Sequence, residues 1–158
     1  MAGGFRIAAA GPDDLAAVRA LFHDYAASLS VDLGYQGFPA ELAELPGAYA
    51  PPAGALLLAR DAAGAAVGCV ALRPMTGEAA AEIKRLYVAP AGRGAGLGRL
   101  LAQAILEEAR RLGYRAARLD TLPDMAAAIA LYRSLGFAPI APYYTTPVAG
   151  TLFLGCAL

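Results

Sequence analysis

The sequence predicts an α/β fold on a mixed sheet, and two observations carry this prediction. Two apolar segments, 54–60 and 65–73, flank Asp61-Ala62-Ala63-Gly64, whose glycine suits a hairpin turn, so the segments should pair antiparallel. Segments 79–89 and 115–122 are strand-like and enclose a helical pattern, which makes a βαβ unit with parallel strands. The sheet should therefore contain both kinds of pairing.

Apolar spacing and turn residues predict the other elements. The best-specified helix carries the stripe Leu97, Leu100, Leu101, Ala104, Ile105, Ala109 and Leu112, with Gly113 as its C-terminal cap. We expect further helices from Gly11-Pro12 to Leu29, near 38–45, and from Pro123-Asp124 to Leu135, and further strands at 5–10, 137–144 and 150–158. The segment 31–52, which holds the short helix, is interpreted as a lid or a loop beside a second substrate.

The apolar face of the strand 79–89 changes parity along its length. Ile83 occupies an odd position, whereas Leu86 and Val88 occupy even positions. Since side chains alternate between the faces of a sheet, an extra residue near Lys84-Arg85 would restore a common face. The sequence therefore predicts a β-bulge there.

Composition bounds the class of protein. At 158 residues the chain can bury a core without disulfides or metal, so we expect one domain over 1–158. Thirteen basic residues balance thirteen acidic ones, which predicts neither a nucleic-acid partner nor a membrane partner. Cys69 and Cys156 are interpreted as buried apolar residues, and no metal is expected. The N-terminal segment lacks the apolar core of a secretory signal, so we expect a cytoplasmic protein. Homodimer formation is left as an open alternative.

Glycines join the strand 79–89 to the helix that follows it. A turn of this kind exposes the first N–H groups of the helix, whose partial positive charge suits phosphate. A P-loop would require a lysine after the glycines, but Lys84 is the only lysine in the chain. A dinucleotide fingerprint beginning at Gly94 and Gly96 would require a third glycine where Arg99 stands.

The turn instead reads Arg93-Gly94-Ala95-Gly96-Leu97-Gly98, an Arg-x-x-Gly-x-Gly sequence. With it, the chain resembles the GNAT superfamily of acetyl-CoA-dependent N-acetyltransferases, whose pyrophosphate loop is Gln/Arg-x-x-Gly-x-Gly/Ala. The strand 82–90 resembles the family's central strand, and residues 130–137 resemble its LYxxxGF element. The three motifs occur in the family's order. The resemblance implies a GNAT fold with six to seven strands in a mixed sheet and helices on both faces.

The resemblance also implies a binding site for acetyl-CoA. The amides of Arg93, Gly94, Ala95, Gly96, Leu97 and Gly98 would hold the pyrophosphate, and the main chain of Leu86, Tyr87 and Val88 would pair with pantetheine beside the bulge. One N–H there would face the thioester oxygen, and such a donor is worth about 3–4 kcal/mol. Met125 stands where many members carry an asparagine, so Asp120 and Thr121 are the polar alternatives near the cleft. Thr121 could instead cap the next helix together with Asp124.

Two residues match catalytic positions of the family. Tyr132 corresponds to a tyrosine that donates a hydrogen bond to the departing thiolate, and with a pKa of about 10 it would keep its proton at neutral pH. Its place on an apolar stripe also fits a core residue. Glu82 lies where some members place a general base, which would act through a water. A structural ion pair of Glu82 with Lys84 or Arg85 is the competing interpretation, and these two cations could equally bind a substrate carboxylate or a CoA phosphate.

The resemblance implies acetyl transfer directly to a primary amine of a small molecule or peptide. An amino acid, a small amine or a peptide N-terminus is favoured over a polyamine, because the loops lack an acidic cluster. Candidate pocket residues are Tyr25, Gln36, Phe38, Tyr143 and Tyr144, whereas His23 is expected at the surface. The alternative functions are a non-catalytic CoA-binding sensor or partner-binding module and, less favoured, a nucleotide-binding α/β domain.

Overall fold

A computed structural model describes residues 4–158. They form a seven-stranded sheet in the order β1-β2-β3-β4-β5-β7-β6, in which only β4 and β5 pair in parallel. The strands are β1 (Arg6–Ala9), β2 (Ala55–Arg60), β3 (Ala66–Pro74), β4 (Ala80–Val88), β5 (Ala116–Thr121), β6 (Ala138–Pro139) and β7 (Leu152–Ala157). The helices are α1 (Leu15–Ser28), α2 (Phe38–Ala43), α3 (Leu97–Arg111) and α4 (Ala126–Ser134), with short 3-10 turns before α1, α2, β2 and α3.

The predicted mixed sheet is confirmed. β2 and β3 form the expected antiparallel hairpin, whose turn is held by Asp61, since its carboxylate accepts hydrogen bonds from the N–H groups of Ala63 and Ala65. β4, α3 and β5 form the βαβ unit. β6 and β7 pair as expected, but β7 lies between β5 and β6.

Helices cover both faces of the sheet. On one face, α3 packs Leu97, Leu101 and Ile105 against the strands, and Tyr132 of α4 belongs to the same cluster. On the other face, Val18, Leu21 and Phe22 of α1 pack with residues from the 33–49 segment. The sheet is therefore buried on both sides, and its central strands are apolar almost throughout.

The bulge in β4 lies where the change from odd to even apolar positions in the sequence predicts it. Cys69 pairs with Tyr87 and Ala71 with Lys84, so two residues of β4 stand opposite one residue of β3. Arg85 has φ 62°, a left-handed conformation that is unusual for a residue other than glycine. Lys84 and Arg85 consequently both contact the α1 and α2 side. Beyond the bulge, Leu86 and Val88 join the α3 face, as predicted.

Two predicted boundaries are wrong. α4 begins at Ala126 rather than at Pro123-Asp124, and no side chain caps it, so the capping role suggested for Thr121 and Asp124 is not found. The predicted strand 137–144 is reduced to Ala138–Pro139 plus one hydrogen bond from Ile140 N–H to the Phe153 carbonyl. Prolines interrupt this segment, because a proline cannot donate to a neighbouring strand.

Candidate active site

The two parallel strands at the centre of the sheet separate soon after they begin. β4 and β5 pair only from Ala80 to Glu82 and from Ala116 to Arg118. Past this point a cleft opens, which we call the strand cleft, and it encloses about 570 Å³ including its open mouth. Its lining includes Ile83, Lys84, Arg85 and Leu86 of β4, Leu119, Asp120 and Thr121 of β5, Met125 and Tyr132, together with Tyr25, Tyr35 and Gln36 from the opposite side.

The glycine turn lies at the carboxyl end of β4. None of the N–H groups from Gly94 to Gly98 donates a hydrogen bond of normal geometry to another group in residues 4–158. Gly94 and Gly96 have φ of +86° and +76°, and no atom lies within 4 Å of a Cβ built on either. Five consecutive amides, at the start of a fifteen-residue helix, are thus free to bind an anion.

Arg93 precedes this group of amides, and Gly98 is its last member. The Arg93 Nε donates to the Val88 carbonyl at 3.1 Å, which ties the exposed arginine to the end of β4. Gly98 lies against Val88 and Leu131, since a Cβ built there would sit 3.9 Å and 3.8 Å from their methyl groups. The turn is therefore fixed between the end of β4 and α4, the helix that also carries Tyr132 of the strand cleft.

Tyr132 of α4 is 6% exposed and packs edge to face against Phe137, with ring centroids 5.3 Å apart. It also lines the strand cleft, and its hydroxyl has no hydrogen-bond partner among residues 4–158. Burial, with a smaller contribution from Tyr25, raises the pKa of Tyr132 well above its ordinary value. The side chain thus belongs to the core, as one interpretation held, and at the same time keeps a protonated, unpaired hydroxyl at the cleft.

A buried polar cluster spans the cleft where the strands separate. Lys84 Nζ lies 3.6 Å from Asp120 Oδ1 across the gap and donates to Gln36 Oε1 at 3.1 Å. Asp120 also accepts a hydrogen bond from the hydroxyl of Tyr144. Burial lowers the pKa of Lys84, while the charge of Asp120 opposes that shift. Lys84 is thus held beside Asp120 rather than beside Glu82.

Arg85 is fully engaged within the protein. Its guanidinium donates two hydrogen bonds to the Glu41 carboxylate, at 2.9 and 3.0 Å, and one to Gln36 Oε1 at 2.9 Å. The guanidinium also lies over the Phe38 ring, 5.1 Å from its centroid. Phe38 is therefore a buried packing residue rather than a pocket residue, and the Arg85 guanidinium is held by Glu41 and Gln36.

A second opening, which we call the side pocket, lies next to the strand cleft. Its lining comprises Tyr35, Gln36, Ala48, Arg73, Pro74, Met75, Thr76, Glu78, Glu82, Lys84, Tyr143 and Tyr144. Tyr35, Gln36 and Lys84 line both openings, so the two meet at these residues. The two openings therefore share a wall formed by these three side chains.

Glu82 is the buried carboxylate of the side pocket. Its side chain is 5% exposed, its Oε1 accepts from Arg73 Nε at 2.8 Å, and its Oε2 accepts from the Tyr143 hydroxyl at 2.7 Å. The expected pairing with Lys84 or Arg85 is wrong, because those residues turn to Asp120 and Glu41. The partner of Glu82 comes instead from the neighbouring strand, where Arg73 stands directly opposite it.

The structure brings five of the predicted site residues to the two openings. Leu86, Asp120, Thr121 and Tyr132 line the strand cleft, and Glu82 lies in the side pocket. The Tyr87 side chain packs against Tyr25 on the α1 face, and Val88 packs on the α3 face, which leaves only their main chain for the cleft side. Thr121 Oγ1 contacts Met125 Sδ at 3.7 Å. His23 is exposed, as expected.

Arg73 is a site residue that the sequence interpretation missed, although a signal was present. A hairpin centred on the turn at Gly77-Glu78 places Arg73 opposite Glu82, and the structure has this register. Glu41 was also missed, and no local pattern points to it, because its partner Arg85 lies 44 residues away in sequence.

Known proteins share sequence with this chain. Residues 18–137 match the model of the acetyltransferase (GNAT) family. C1271.07c of Schizosaccharomyces pombe, an uncharacterized N-acetyltransferase, is 41% identical over 143 residues, which cover 90% of this chain and 88% of that protein. YjgM of Escherichia coli, also an uncharacterized N-acetyltransferase, is 36% identical and covers 71% of this chain and 68% of its own.

The fold recurs in solved structures. A Klebsiella pneumoniae protein, solved as a candidate acyl-CoA N-acyltransferase, superposes with a TM-score of 0.77 at 30% identity, with 99% of both chains covered. Within residues 4–158, no helix is both long enough and apolar enough to cross a membrane. The family model, the relatives and the shared fold together show that this chain belongs to the acetyltransferase (GNAT) family.

Proposed function

We propose that the protein, with residues 1–158 as a single domain, transfers the acetyl group of acetyl-CoA directly to a primary amine of a small molecule or peptide. One observation carries the proposal. The strand cleft lies beside β4, whose carboxyl end leads into a turn with five free amides, and the cleft adjoins a pocket with a buried carboxylate. This is the arrangement that a diphosphate-bearing donor and an amine acceptor require.

The residues present fit acetyl-CoA. The amides from Gly94 to Gly98 would accept its diphosphate, and Arg93 adds a positive charge at the same turn. The main chain of Leu86, Tyr87 and Val88 would pair with pantetheine, because β5 has left this stretch of β4. Acetyl-CoA supplies an acetyl group already activated as a thioester. Asp120 and Thr121 form the polar part of the opposite wall.

Tyr132 and Glu82 take complementary roles in this proposal. The Tyr132 hydroxyl would donate a hydrogen bond to the departing thiolate sulfur, because burial raises its pKa and keeps it protonated at neutral pH. Glu82 would accept a proton from the amine through a water in the side pocket. The acetyl group would pass from sulfur to the amine nitrogen, the C–S bond breaking as the C–N bond forms, and both roles assist this displacement.

A two-step experiment tests the proposal. Thermal unfolding is first followed with CoA, acetyl-CoA, ATP and NAD, and we expect stabilisation by the two CoA compounds alone. A panel of primary amines is then scanned for release of free CoA thiol. Stabilisation by acetyl-CoA with no amine-dependent thiol release would favour the non-catalytic CoA-binding alternative, and stabilisation by ATP or NAD alone would favour the nucleotide-binding one.

A further inference from the structure

The charges around the side pocket are already balanced within the protein. Glu82 is paired with Arg73, Glu78 with Arg118, and Asp120 with Lys84. Each carboxylate near the pocket therefore has its own cation. A polyamine or another polycation would find no uncompensated negative charge there.

The unused hydrogen-bonding capacity of the pocket is cationic. Arg73 donates through Nε to Glu82, but its two terminal nitrogens donate to no acceptor among residues 4–158. Its side chain is 36% exposed, and it lines the side pocket. The two terminal nitrogens of an arginine form a planar fork that matches the two oxygens of a carboxylate.

Glu82 fixes the position of this fork. The hydrogen bond from Arg73 Nε to Glu82 holds the guanidinium beside this carboxylate, which would accept a proton from the acceptor amine through a water. A carboxylate bound by Arg73 would consequently lie within a few ångströms of the amine. An α-amino acid has its two charged groups at this spacing, since a single carbon separates them.

We infer that the acceptor is an amino acid or a closely similar amino carboxylate, and that Arg73 selects it by binding its carboxylate. This inference rests on the proposed function. Arg73 thus has two tasks, because it holds Glu82 in place and recognises the acceptor. The remaining side chains of the pocket, among them Tyr35, Pro74 and Met75, would surround the side chain of the amino acid.

The test compares matched acceptors in the wild-type protein. A panel of L-amino acids, their carboxamides and their decarboxylated amines is assayed for acetyl-CoA-dependent thiol release, with kcat and KM measured separately at a pH where each amine is equally deprotonated. We expect kcat/KM for the preferred amino acid to exceed that of its carboxamide about 10- to 100-fold, mostly through KM. Equal use of the two, or preference for the carboxamide, overturns the inference.

Arg73→Gln is the diagnostic variant, and its readout is the ratio of kcat/KM between acid and carboxamide. The loss of the Glu82 ion pair lowers kcat/KM for both the acid and the carboxamide, whereas only the loss of carboxylate binding changes their ratio. We expect this ratio to fall to within about threefold of one. Arg73→Lys keeps the charge without the fork and should give an intermediate ratio. A wild-type ratio in both variants overturns the inference.

Arg118→Gln is the matched control. It breaks the ion pair with Glu78 at the edge of the same pocket, and it should leave the acid-to-carboxamide ratio unchanged. If the acid-to-carboxamide ratio of Arg118→Gln fell as far as that of Arg73→Gln, the overall electrostatic potential of the pocket, rather than Arg73, would select the acid. Failure of the proposed function looks different, because then no amine in the panel stimulates thiol release although acetyl-CoA binds.

Discussion

Replacing Tyr132 with phenylalanine separates the catalytic role of its hydroxyl from the packing role of its ring. The hydroxyl makes no hydrogen bond within residues 4–158, so its removal breaks none. The ring keeps its edge-to-face contact with Phe137. We therefore expect the free energy of unfolding to change by less than about 0.5 kcal/mol.

The rate should change far more than the stability. If the hydroxyl donates a hydrogen bond to the departing sulfur, its loss removes a charge-assisted hydrogen bond of about 1.5–3 kcal/mol from the transition state. This corresponds to a fall in kcat of roughly 10- to 150-fold. Thiol release at saturating acetyl-CoA and amine measures kcat, and thermal unfolding and CoA affinity are measured on the same preparation.

Tyr49→Phe is the matched control. The Tyr49 ring is also buried, and no acceptor lies within hydrogen-bonding geometry of its hydroxyl. Burial, with a smaller contribution from the charge of Glu41, raises the pKa of Tyr49. Tyr49 lines neither the strand cleft nor the side pocket, so its variant should keep the wild-type rate. A Tyr132→Phe rate within about threefold of wild type, at unchanged stability, would refute the hydrogen-bond role.

Three further predictions follow from the turn, the bulge and the side pocket. Gly96→Ala forces a Cβ into a left-handed turn, at a cost of roughly 1 kcal/mol, and should weaken CoA binding about tenfold or more in calorimetry, whereas Gly98→Ala packs at 3.8–3.9 Å and should bind CoA normally. Burial by itself raises the pKa of Glu41. The hydrogen bonds and the charge of Arg85 together lower this pKa by more, so the net shift is downward. The ion pair thus stabilises the fold above the ordinary carboxyl pKa and loses this effect as the pH falls through the lowered one. Denaturant titrations should show Glu41→Gln destabilised by about 3 kcal/mol at neutral pH, with a difference from wild type that shrinks below pH of about 4.5; a constant difference contradicts the pairing. Glu82→Gln should lower kcat/KM about 100-fold or more if Glu82 is the base, and a normal value in thiol-release assays would assign it a structural role only.

Much of the fold was predictable because periodicity is a local property of the chain. The apolar stripe from Leu97 to Leu112 specified α3, and the shift from Ile83 to Leu86 and Val88 located a bulge, since each residue reports the face on which it lies. The shortness of β6 follows from Pro139 and Pro142, which the predicted strand already contained. The starting point of α4 was not predictable in this way, because no side chain caps the helix there.

The sequence by itself determined the mixed sheet, the bulge at Lys84-Arg85, the glycine turn and the family resemblance. Only the tertiary structure decided which charges meet, pairing Glu82 with Arg73, Lys84 with Asp120 and Arg85 with Glu41. The physical reason is that an ion pair depends on strand register, strand separation and burial. These properties join residues distant along the chain, whereas propensity and spacing act between near neighbours.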